Sequence, residues 1–178
     1  MNNIASTRKK IAMMTANGFN EAQFILLQKA FMAQQAQAKI ISCHNGLVYS
    51  NSKKGNGISY AADSQLSETL AVDYDCLIVV GGLEHIDLLT EEPHAIRLIR
   101  AFLRESMPIL LISEASKLLD VIGDTRLAST TVSDETFIQS ENVFWSKDSS
   151  DLLAIFDRFS EIVSAHQSKQ NAHNGVAA

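Results

Sequence analysis

The chain has little of the material that several function classes require. Its 178 residues include only two cysteines, Cys43 and Cys76, and no Cys-x-x-Cys pair. A disulfide framework is excluded by number, and no His pair at helical spacing offers a structural zinc site instead. Neither a metal nor a cofactor is expected. Fifteen Lys and Arg against twenty Asp and Glu give a net charge of −5 without a basic stripe, which removes the electrostatic basis for binding nucleic acid. Long apolar runs are missing as well. The run at 11–14, after the polar "MNNIASTRKK", is far shorter than a signal h-region or a membrane span. A cytoplasmic location and no membrane partner are the expectation. No internal repeat is visible, and Gly81-Gly82 lacks the third glycine of a dinucleotide fingerprint.

What is present fits one globular domain. Hydrophobic residues make up 46% of the chain and charged residues 20%, enough for a proper core. The expected domain spans 9–166, between flexible tails at 1–8 and 167–178. "KKIAMMT" (9–15), "KIIS" (39–42), "DCLIVVGG" (75–82) and "PILLIS" (108–113) read as buried strands; "RLASTTV" and "NVFWS" are weaker ones. Helical spacing marks "EAQFILLQKAFMAQQAQ" after Asn20, "TEEPHAIRLIRAFLRES", "EASKLLDVI" before Gly123, and "SSDLLAIFDRFSEIVSAHQ". Asn-Gly pairs at 45–46 and 56–57 bracket a hairpin excursion, with 50–54 at its solvated tip. Strands alternating with helices imply an α/β fold: a three-layer, doubly wound, flavodoxin-like sandwich with a mainly parallel sheet. Ligands of such folds bind at the carboxyl ends of the strands, which here carry Asn17-Gly18, Gly81-Gly82 and Ser113-Glu114.

Each residue at these ends has a structural and a functional reading. Ser113 sits where a buried strand bends into a helix, the place of a nucleophile, of a polar ligand contact, or simply of a helix N-cap. A serine nucleophile needs a positioned base, and His85 in "GGLEH" is the candidate. His85 alone is equally a surface or satisfied core histidine. Glu114 lies in the first helical turn, where the dipole favours an acid, or it contacts a ligand. Asn20-x-x-Gln23 has capping-box spacing. Gly82 is a tight turn or a backbone approach to an oxyanion. Trp145 is expected against the last helix, and both cysteines inside strands.

Taken together, "ANGFNEAQF", "YDCLIVVGG" and "PILLISEASKLL" resemble three segments of the ThiJ/PfpI superfamily, within the class I glutamine amidotransferase-like fold. The resemblance covers roughly 9–131. It implies that the family's elbow Cys falls on Ser113 and its partner carboxylate on Gln23. The family's His has no counterpart in "RLASTTVSD" (126–134), while the oxyanion glycine is kept at Gly82. "ISEASKLL" and the closing segment are also similar to the Cys-lacking C-terminal domain of large-subunit catalases.

The expected function is therefore a non-catalytic domain that binds a small anion, a metabolite or a protein partner through Gly82, Ser113, Glu114, Gln23 and His85. Two alternatives remain: a hydrolase or amidase using Ser113 with His85, and a stress-related, chaperone-like module, of which a cysteine redox sensor is a weaker form. The resemblance implies a homodimer.

Overall fold

The structure, a computed structural model, describes residues 8–51, 57–128 and 135–175. Its elements in chain order are β1 (Lys10–Thr15), β2 (Phe19–Asn20), α1 (Glu21–Ala33), β3 (Gln37–Ser42), β4 (Leu47–Asn51), β5 (Ser59–Ala61), β6 (Ser64–Gln65), β7 (Cys76–Val79), α2 (Leu83–Glu91), α3 (Pro93–Arg104), β8 (Ile109–Ile112), α4 (Lys117–Ile122), β9 (Phe137–Ser140), β10 (Val143–Ser146) and α5 (Leu152–Gly175). Seven strands form one sheet in the order β6-β3-β1-β7-β8-β10-β9. Neighbours in it are parallel except β9, which runs antiparallel to β10. The fold is the expected α/β sandwich.

The unbroken apolar strands follow from burial on both faces. Ile11, Met13, Ile78, Leu110 and Ile112 pack with Phe24, Leu27, Phe156 and Phe159 of α1 and α5. Their chain neighbours Ala12, Met14, Leu77, Val79 and Leu111 pack with Ile86, Leu98, Phe102 and Leu118 of α2, α3 and α4. Strand period 2 thus sends alternate residues into two separate cores. β1 leads into α1 on one face and β7 into α2 on the other, so the chain switches sides between these adjacent strands. A crevice at their carboxyl ends is the ordinary ligand position in this architecture.

Several expectations change. Residues 83–91 form α2, a separate helix ahead of the stretch from Thr90 where helical spacing is expected. Pro93 then begins α3, with the Glu92 carboxylate accepting from His94 N at 3.0 Å as the cap. The final helix runs to Gly175, past residue 166 and into the segment expected to be a tail. Trp145 packs against the α2–α4 core rather than against α5. Cys43 lies one residue beyond β3, half-buried, while Cys76 is inside β7 as expected. The hairpin excursion is present as β4 and β5, which pair antiparallel. Tyr60 anchors it on Phe24 and Phe19, with ring centroids 4.6 and 6.0 Å apart. Residues 1–7 of the expected N-terminal tail, 52–54 of the hairpin tip and 129–132 of the weak strand candidate lie outside the described residues.

Leu110 is fully buried at the centre of the sheet. Leu110→Ala should cost about 2–5 kcal/mol, read as a lower denaturation midpoint at unchanged m-value.

Candidate functional site

Three strand ends meet at one polar cluster. β8 ends at Ile112, and the chain reverses through Ser113, whose φ of 52° is left-handed. A non-glycine residue pays about 1–2 kcal/mol for that conformation, so its surroundings must hold it. They do so at three points. The Gln23 amide donates to Ser113 Oγ through Nε2 (2.9 Å), Ser113 Oγ donates to the Lys147 carbonyl (3.0 Å), and Trp145 Nε1 donates to the Ser113 carbonyl (2.9 Å). The turn after β10 is itself braced: Ser150 N donates to Asp148 Oδ1 at 2.8 Å, which holds that carboxyl below its usual range.

Gln23 also accepts from Gly81 N through Oε1, at 2.7 Å. One amide therefore joins the start of α1, the end of β7 and the elbow after β8. Asn20 positions it, its Oδ1 accepting from Gln23 N at 3.1 Å as a helix N-cap. Only this half of the capping box forms, because the Gln23 side chain turns into the cluster. Gly81 leaves room for it: a Cβ there would lie 2.7 Å from Glu114 Oε2 and 3.0 Å from Ser113 Cβ. Gly82, at φ 126°, donates its N–H to Glu114 Oε2 at 3.1 Å. The one carboxylate in the cluster already occupies the anion-receptive N–H.

The sequence-derived site residues thus divide. Gln23, Gly82, Ser113 and Glu114 come together. His85 does not join them. It is fully buried on α2, and its Nδ1 accepts from Ala16 N at 2.9 Å. Nε2 has no hydrogen-bond partner among the described residues. Burial is the dominant influence and pushes the imidazole down to about 4, and the Ala16 N–H on Nδ1 is compatible only with a lone pair there. The proposed Ser113–His85 pair is therefore corrected: the ring is a neutral core residue whose Nδ1 is taken by Ala16, the residue after β1. Nor is Ser113 a helix N-cap, since its hydroxyl bonds Lys147 O and no side-chain cap is made at the turn (Ser113–Ser116) or at α4.

Both cysteine thiols are pushed up. Burial is the main cause at each, joined by the Glu92 charge at Cys43 and the Asp75 charge at Cys76. This disfavours the thiolate that a redox sensor requires. Among the described residues no three His, Cys, Asp or Glu side chains are grouped to hold a metal, and no helix is long and apolar enough to cross a membrane.

Sequence reading missed two participants, Trp145 and the Lys147 carbonyl. Both come from β10 and its following turn, beside β8 in space but about thirty residues away in the chain. No local signal marks them. α2 was detectable: Ile86 and Leu89 are three apart, and Gly82 and Pro93 punctuate its ends.

The sequence matches the DJ-1/PfpI family over residues 9–135, most of the chain. The chain belongs to that family. Its structure is similar to Drosophila melanogaster DJ-1beta, at 17% identity with 97% of this chain and 99% of that chain covered and a TM-score of 0.75. It is similar to oxidized Toxoplasma gondii DJ-1 at 14% identity, covering 93% and 97% of the two chains, with a TM-score of 0.71. A DJ-1 superfamily protein from Salmonella typhimurium shares 21% identity over 93% and 97%, with a TM-score of 0.70. No curated protein matches the chain. At these identities the DJ-1/PfpI likenesses speak for the fold.

The buried imidazole makes stability pH-dependent. Its folded-state value lies below the usual 6.5, so the unfolded chain binds the extra proton between these limits. His85 then contributes a loss of about 2 kcal/mol on going from pH 7.5 to pH 5. Denaturation at both pH values should show that loss. It should shrink in His85→Asn, whose amide can still accept from Ala16 N.

Proposed function

We propose that this DJ-1/PfpI domain is non-catalytic and binds a small carboxylate-type anion at the elbow. The observation that carries the non-catalytic reading is the double engagement of Ser113 Oγ. Its proton points to a carbonyl and its acceptor side faces an amide. Neither partner can remove a proton at neutral pH, and the imidazole that could serves the core. The ligand class follows from Glu114. Gly82 N already receives a carboxylate, and that side chain is exposed and can swing into solvent. An external anion would take its place and gain the same donor. A Ser113 hydrolase has no comparable observation in its favour.

Within the family we place the chain beside the Cys-lacking C-terminal domain of large-subunit catalases, on the run Ser113-Glu114-Ala115 and the closing strand and helix. Self-association as a homodimer and a cytoplasmic setting belong to the same reading. Light scattering should then give about twice the 19.5 kDa chain mass.

Ester and amide substrates should turn over at the same rate in wild type and Ser113→Ala; a serine-dependent rate would refute the proposal. Titration with acetate should shift the Gly82 amide resonance. Glu114→Ala should raise the apparent acetate affinity by about tenfold, since a charged hydrogen bond is worth about 1.5–3 kcal/mol. An unchanged Gly82 resonance in both proteins would remove the anion site.

A further inference from the structure

A second cavity, of about 720 Å³, lies away from the elbow between α3 and the chain segment that precedes β7. Arg97, Arg100 and Arg104 follow one another at helical spacings of three and four, so they share one face and span about 10 Å of α3. The opposite wall is apolar. It presents Leu70 and Val72, which are 53% and 75% exposed. Ile96 continues the apolar surface on α3.

The two walls are tied together. Arg97 Nη2 donates to the Leu66 carbonyl at 2.8 Å and to the Thr69 carbonyl at 2.9 Å. The segment carrying Leu70 and Val72 is thus held at a set distance from the helix, and the cleft exists before any ligand arrives. Charge inside it is unevenly used. Arg104 is paired with Glu105 at 2.9 Å, and Glu91 also lines the cleft. Arg100 has no ion-pair or hydrogen-bond partner among the described residues. An unpaired guanidinium beside exposed aliphatic side chains, on a protein of net charge −5, matches a ligand with an anionic head and an apolar body.

We infer that this cleft binds a small anionic amphiphile, its carboxylate on Arg100 and its alkyl chain along Leu70 and Val72. The size favours a small molecule over a folded partner, because the volume falls in the usual range for ligand cavities and the arginine row is only two helical turns long. The elbow reading plays no part in this inference.

Decanoate at neutral pH, below its micelle concentration, is the probe. Amide resonances of 70–72 and 94–104 in the full chain should shift saturably. Arg100→Glu and Val72→Asp, on opposite walls and both exposed, should each weaken binding by about tenfold or more. Acetate (head without chain) and decyltrimethylammonium (chain with the wrong charge) should bind at least about tenfold more weakly. Equal affinity for the cationic probe, undiminished binding in both variants, or shifts confined to Gly82 and its neighbours would overturn the inference.

Discussion

The Gln23 side chain bridges Gly81 N–H and the Ser113 hydroxyl, and the chemistry of the elbow depends on what an amide can do there. An amide presents an acceptor and a donor at once, in a fixed geometry and without titrating. Its oxygen takes the Gly81 N–H, so its nitrogen is left facing Ser113. That nitrogen can only donate, which assigns the serine oxygen as acceptor and sends the serine proton to Lys147 O. A carboxylate at position 23 could accept from Gly81 but would need a proton of its own to donate. One atom substitution between Gln and Glu thus decides the direction of both hydrogen bonds of the Ser113 hydroxyl.

The strained backbone of Ser113 becomes understandable in the same frame. The elbow keeps a left-handed backbone at a residue that is not glycine. Trp145, Gln23 and Lys147 together over-determine that conformation, each hydrogen bond offsetting part of the strain. Gly81 is equally bound to the arrangement, since any side chain there would strike Glu114 and Ser113. Glu114 then closes the remaining donor at Gly82. The result is a hydrogen-bonded polar cluster at the sheet's switch point, with the exposed Glu114 carboxylate at its edge.

His85 illustrates how a chemically suggestive residue can be structural. It stands three residues after Gly82, in the range where a base could reach the elbow. The formation of α2 turns it instead toward β1, where Ala16 N–H needs an acceptor. Membership of the DJ-1/PfpI family accounts for the sheet and the elbow, and leaves the side chains on it to be read one by one.

Strands buried on both faces were legible because their apolar runs are continuous, and α1 because Asn20 announces it. The elbow was legible as a bend at Ser113, and its Gly82 and Gln23 as neighbours through family resemblance. Local pattern and composition by themselves determined the α/β class and the order of the strands along the chain; the family resemblance added which residues, Ser113 and Gln23, stand at the elbow. Tertiary structure alone decided which groups satisfy Ser113, that His85 faces the core, and that Glu114 fills the Gly82 donor. The physical reason is that a hydrogen bond depends on distance and angle in space, and Lys147 and Trp145 reach Ser113 only because β10 lies beside β8.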